Sequence, residues 1–166
     1  MISSLYNSFC QAYFINCSAL INLNLFFKNL TKQFEKTHKM KRENILTGSP
    51  WEDKMGYCRA VRIGNIIEVS GTVAIVDGDK VKADDAYAQT YNIIERVEKV
   101  LQDLNVGIKD VIRTRIFTTN VDTFEEVARA HSAFFKDVKP TTGFYEISKL
   151  VAPEYLVEIE FTAVVQ

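Results

Sequence analysis

The chain has 166 residues, 47% of them hydrophobic and 25% charged, with seven glycines and three prolines. That is one domain's worth of sequence, long enough to bury a hydrophobic core, and it excludes a fibrous, collagen-like or wholly disordered protein. The net charge of −1 is uneven: four lysines against one glutamate give +3 over residues 1–39, and 16 basic against 20 acidic residues give −4 over the rest. An acidic domain is a poor fit to nucleic acid, which needs a clustered basic face.

Residues 1–27 carry no charged side chain and show no sustained period. No positive region precedes Lys28, the first arginine is Arg42, and Gln11, Asn16, Asn22 and Asn24 interrupt any apolar run. Secretory, mitochondrial and membrane-spanning readings therefore all fit weakly. From Met40 the string MKRENILTGSPWEDK reads like an ordinary protein N-terminus. Residues 1–39 are accordingly expected to be an extension, either poorly ordered or an artefact of an upstream start, and residues 40–166 the domain. Cys10, Cys17 and Cys58 form no CxxC pair, and the only histidines are His38 and His131. That is too few ligands for a four-ligand zinc site, and the expectation is reduced thiols in a cytoplasmic protein without a metal.

The next segment, CRAVRIGNIIEVSG, predicts two strands joined by a two-residue turn at Gly64-Asn65. A second turn is expected at Asp77-Gly78-Asp79. Tyr87, Tyr91, Ile94, Val97, Leu101 and Leu104 are spaced as one helical stripe. Asp84 or Asp85 is suited to cap its start, and Gly107 to supply a left-handed stop.

VIRTRIFTTN (111–120) predicts a strand. Alternation puts Ile112, Thr114 and Ile116 on one face and Arg113, Arg115 and Phe117 on the other. A second helix is expected from Asp122, with Glu125 in a capping-box position and a stripe of Phe124, Val127, Ala128, His131, Phe134 and Phe135. Two strands follow, Phe144–Leu150 and residues 156–165. The order ββ(β)–α–β–α–ββ implies an α+β fold with two helices on one face of a mixed sheet. The bare opposite face predicts self-association.

Several of these strings together resemble the Rid (YjgF) superfamily. GYCRAVRIGNIIEVSGTVA is similar to its first hairpin, with Ser-Gly closing the second strand. Gln89-Thr90 with Asn92-Ile93 lead a helix like its first. VIRTRIFTTNVDTFEEVARAHSAFF resembles its strand–helix unit, and KPTTGFYEISKLVAPEYLVEIEFTAV its C-terminal signature. The similarity spans residues 56–166. It implies a chorismate-mutase-like fold, a homotrimer with clefts between subunits, and binding of a small metabolite there. In active members the clefts hydrolyse enamines and imines with no metal or organic cofactor.

Carried over position by position, the resemblance makes Glu158 the residue that orients or activates water. Tyr57 matches a cleft tyrosine, and Ser70 and Gly71 a backbone-lined wall. The arginine that clamps the substrate carboxylate in active members falls at Thr142, a cysteine position falls at Phe144, and a cleft asparagine at Ala128. A threonine hydroxyl cannot replace a bidentate guanidinium. Arg59, which shares a strand face with Tyr57, is the preferred substitute, and Arg115 the other.

Plainer readings stand beside these. Glu158 and Glu160 fit a solvated pair of like charges, the two arginines fit surface ion pairs, and His131 fits a buried histidine better than a base. Trp51 fits either a trimer cap or the mouth of the cleft. Two functions remain open, a hydrolase of imines, enamines or a related carbonyl compound, and a non-catalytic metabolite-binding or regulatory trimer. Action on RNA is disfavoured by the acidic charge.

Overall fold

The computed structural model describes residues 22–31, 40–76 and 81–166. Residues 22–31 form a helix with Leu23, Phe26, Phe27 and Leu30 exposed. The rest of the N-terminal extension, with Cys10, Cys17 and His38, lies outside the described residues, as does the turn expected at Asp77-Gly78-Asp79.

From Lys41 the chain forms a separate compact unit. It is built on a six-stranded mixed sheet, β1 (Arg42–Ile45), β2 (Ala60–Ile63), β3 (Ile66–Val73), β4 (Val111–Thr118), β5 (Thr141–Glu146) and β6 (Val157–Val164). The strand order is β1-β2-β3-β6-β4-β5, antiparallel throughout except for the parallel pair β4–β5. The helices are α1 (Pro50–Met55), α2 (Ala86–Asp103) and α3 (Phe124–Phe135). Helix α3 is the crossover that lets β4 and β5 run parallel.

Local chemistry accounts for most boundaries. Ile63 pairs with Ile66 across a two-residue turn in which Gly64 has φ +62°, a conformation that costs glycine little. The Asp85 carboxylate caps α2 by accepting from the Ala88 N–H at 2.7 Å. The stop beyond α2 differs from expectation. Asn105 takes the left-handed conformation at φ +57°, and Gly107 is extended, opening a 3₁₀ turn over Ile108–Asp110. Asparagine tolerates that region, so the glycine was not needed for it.

Alternation is strict in β6: Val157, Ile159, Phe161 and Ala163 are buried. They pack with Ile67 and Val69 of β3, Ile116 of β4 and Ile93, Val97 and Leu101 of α2 in one core. Both long helices therefore lie on one side of the sheet, and Glu68, Glu158, Glu160, Arg115 and Phe117 point to the other. Gln89 is fully buried in that core. Its amide donates to the carbonyls of Lys82, Ala83 and Glu154 and accepts from the Leu156 N–H, tying two loops to α2.

Four expectations are corrected. Strand β1 and helix α1 occupy the stretch read only as an N-terminus, with Ser49 as N-cap, Pro50 in the first turn and Gly56 left-handed at φ +69°. Ile112 is half exposed, because the β4–β6 register shifts between Val111 and Arg113 and reverses the alternation there. Asp122 caps nothing. Asn120 accepts from the Asp122 N–H at the head of a 3₁₀ turn, and α3 starts only at Phe124. Strand β5 runs Thr141–Glu146 rather than 144–150, because it pairs with β4 from Arg113↔Thr141 to Thr118↔Glu146.

Candidate functional site

Glu158 lies in β6 between Val73 of β3 and Phe117 of β4. The β3–β6 register shifts between Val69 and Thr72, an irregularity that brings the Gly71 backbone against the Glu158 side chain. A Cβ at position 71 would overlap Glu158 Oε1 and stand 2.9 Å from Cδ. The carboxylate thus occupies the space a side chain at 71 would fill. It is partly buried and, among the described residues, takes no hydrogen bond and no ion pair. Burial pushes its pKa up, the charge of Glu160 adds to that, and Arg59 offsets part of it.

Arg59 precedes β2. Strand β2 pairs with β3 as far as Ala60↔Val69, and one more backbone bond, Ser70 N–H to Arg59 C=O at 3.0 Å, ends the ladder. Beyond that point the carbonyls of β3 have no partner strand on this side, and arginines meet them instead. Arg59 Nη1 donates to Gly71 O at 2.8 Å and to Thr72 Oγ1 at 3.1 Å. Its Nη2 donates to the Tyr57 hydroxyl at 3.0 Å, and its Nε is buried without a partner. Arg96, from α2, donates from Nη1 to the Val73 carbonyl.

The structure therefore brings Tyr57, Arg59, Gly71 and Glu158 together. The Ser70 hydroxyl donates to the Cys58 carbonyl at 2.8 Å, and Ser70 contributes backbone at the same place. Arg115 sits one step along the sheet, its Nη2 2.7 Å from Glu160 Oε2, so it holds the neighbouring acid rather than Glu158. Phe117, beside Glu158, stacks on Tyr145 with ring centres 5.8 Å apart. A Cβ at Gly143 would overlap the Tyr145 phenol, which lies back over that glycine.

Thr142 is not brought to this group. Its hydroxyl accepts from Thr114 Oγ1 at 3.0 Å and donates to the Pro140 carbonyl at 3.2 Å. Thr114, fully buried on the helix side, is 3.1 Å from His131 Nε2. Each hydroxyl has one proton to give, so Thr114 spends its proton on Thr142 and His131 must donate from Nε2. The histidine is neutral, burial holding its pKa down at about 4. It behaves as the buried histidine of the plainer reading, remote from Glu158.

Two contributors escaped sequence reasoning. Tyr145 falls inside the strand expected over Phe144–Leu150, but nothing in the sequence shows that its ring stacks on Phe117 beside Glu158. Arg96 falls between apolar positions of α2 and reads as an ordinary surface residue. Only the end of the β2–β3 ladder, which leaves the Val73 carbonyl open, gives it a reason to turn inward.

A six-stranded mixed sheet with both long helices on one side places the domain in the α+β class. Residues 47–165 match the family described as endoribonuclease L-PSP, and the chain belongs to that family, known also as YjgF, Rid or RutC. A crystal structure of a YjgF/YER057c/UK114 family member from Mycobacterium tuberculosis is 38% identical, with a TM-score of 0.70, covering 75% of this chain and all of that one. An uncharacterized protein of Streptomyces coelicolor is 32% identical over 72% of this chain and 89% of its own length. The 3-aminoacrylate deaminase RutC of Acinetobacter baylyi is 28% identical over 75% of this chain and 98% of its own.

Proposed function

We propose that this protein binds a small carbonyl-derived metabolite beside Glu158, in a crevice completed by neighbouring copies in a homotrimer, and hydrolyses a carbon–nitrogen double bond there. The observation that carries the reading is the partly buried Glu158 carboxylate, lodged against Gly71 and without a partner among the described residues. A carboxylate whose pKa is raised is a better base than an ordinary one. Glu158 takes a proton from a water whose oxygen bonds to the imine carbon. It returns that proton to nitrogen, giving a carbinolamine, and then carries the hydroxyl proton to nitrogen as the C–N bond breaks, leaving a carbonyl compound and ammonia. An enamine enters the same route once protonated on carbon. Tyr57, fixed by Arg59, and the Phe117–Tyr145 pair supply the walls. The Acinetobacter relative is named for a reaction of this chemical type, deamination of 3-aminoacrylate.

Trimer formation is part of the proposal. The face bearing Glu158 carries exposed Tyr145 and Ile66. One observation favours a second reading, binding without catalysis: position 142 holds a threonine whose hydroxyl is already engaged with Thr114 and Pro140. Among the described residues no helix is long and apolar enough to cross a membrane.

The test couples an L-amino-acid oxidase, which generates imines, to ammonia release with the full chain or its Glu158→Gln variant. Acceleration by the parent and loss of about 10²-fold or more in the variant are expected. Saturable keto-acid binding without acceleration would establish the second reading. Sedimentation showing a stable monomer would remove both.

A further inference from the structure

We propose that Arg96 supplies the anion-binding fork of this pocket, so that the site takes small carboxylates by a guanidinium reaching in from helix α2. The inference rests on the reading of the Glu158 crevice as the binding site. Three observations lead to it.

The first is a comparison of free hydrogen-bond capacity. Arg59 has Nη1 committed to Gly71 O and Thr72 Oγ1 and Nη2 to Tyr57, and its remaining Nε is buried. It has no open two-pronged edge to offer. Arg96 makes one hydrogen bond, Nη1 to the Val73 carbonyl, and is only partly buried. Its Nε and Nη2 have no partner among the described residues. Those two atoms form the side-on edge of the guanidinium, the edge that matches a carboxylate with two parallel hydrogen bonds. Anchoring through Nη1 also fixes the group before a ligand arrives, which removes part of the ordering cost of binding.

The second observation is placement. Val73, whose carbonyl Arg96 grips, is paired across the sheet with Glu158. Arg59 grips the carbonyl two residues earlier. The two arginines therefore meet the open edge of β3 at the strand level of Glu158, Arg96 coming from the helix side of the sheet and Glu158 lying on the opposite face.

The third is charge. Burial and the positive charge of Arg59 both act to lower the Arg96 pKa, and only the Tyr155 phenol acts in the opposite direction. No acidic side chain among the described residues forms an ion pair with Arg96. Glu52, the other acid near Arg59, is saturated by the Thr47 N–H and hydroxyl and the Gly48 N–H. Two neighbouring cations, one with an open fork and no anion to satisfy it, are better stabilised with an anionic guest than without.

The test uses the full chain and two probes that differ in one charge, pyruvate and its uncharged methyl ester, titrated by NMR. The parent is expected to prefer pyruvate by about tenfold or more, the value of one charge-assisted pair. Arg96→Gln keeps a donor for the Val73 carbonyl but loses the charge and should abolish the preference. Arg96→Lys keeps the charge but loses the planar fork, should retain only a small part of the preference, and carries the test if the glutamine variant fails to fold. A residue that merely capped the Val73 carbonyl would alter the melting temperature and leave the pyruvate-to-ester ratio unchanged. That result, or a parent that binds pyruvate no better than the ester, including the case in which neither binds, overturns the proposal. Glu158→Gln should keep the preference. Loss of ammonia release in that variant with pyruvate binding intact separates the failure of the fork from the failure of the proposed hydrolysis.

Discussion

Gly71→Ala gives the sharpest test of how the Glu158 carboxylate is seated. The added Cβ would overlap Oε1 and stand 2.9 Å from Cδ and 3.3 Å from Cγ, where ordinary contact begins at 3.4 Å. No backbone atom is among these neighbours, so the flexible end of Glu158 can swing away by on the order of 1 Å or more without moving the sheet. Overpacking typically costs about 1–3 kcal/mol, and the alanine recovers about 0.4–1 kcal/mol by restricting the unfolded chain, so the variant should fold. Displacement of a reacting group by about 1 Å can cost 10²-fold in rate, and ammonia release should fall on that order. A second readout is independent of turnover. A carboxylate driven toward water loses the desolvation that raises its pKa, so an NMR titration of the Glu158 side-chain carboxyl should move down toward its ordinary value. A variant that folds, keeps the parent's rate and leaves the titration where it was would refute the seating of Glu158 against residue 71.

Three other outcomes are expected. Glu160→Gln removes the like charge beside Glu158, so the Glu158 pKa should fall and the acid limb of any pH–rate profile, where the base is protonated, should move to lower pH. His131 has its pKa depressed from 6.5 to about 4, so the unfolded chain binds a proton in that window that the folded chain refuses. Stability should therefore fall as pH drops from 6.5 toward 4, by about 2 kcal/mol after allowance for partial exposure, and His131→Gln should lose this slope in urea unfolding across the same range. Gln89→Leu strands four backbone groups of two loops and should cost about 3 kcal/mol in chemical denaturation.

Periodic features were legible in the sequence because one physical rule governs each. The long helices follow from apolar stripes, and the shared face of Glu158 and Glu160 from strand alternation. Even there the stripe was rotated: Ile93 and Val100 are buried, while Tyr87 and Tyr91 lie at the margin, Tyr91 against Phe134. Helix α1 was legible and overlooked, since Ser49-Pro50 and Gly56 are ordinary start and stop signals around six residues. Ile112 was not legible, because a register shift depends on the partner strand and leaves no mark in the sequence that bears it. The same holds for Arg96, whose inward turn answers a carbonyl left open by the length of a different strand. Glu158 could be placed on a face by counting. That Gly71 makes its seat depends on a contact between strands more than eighty positions apart.

The chain of hydroxyls from His131 through Thr114 to Thr142 constrains anyone who would redesign this protein. Writing an arginine into position 142 aims a permanent charge at the helix layer, with Glu158 on the far side of the sheet. Within one chain that side chain cannot meet Glu158, so a borrowed arginine would have to serve the crevice of a neighbouring copy, and it would leave the Thr114 hydroxyl without its acceptor.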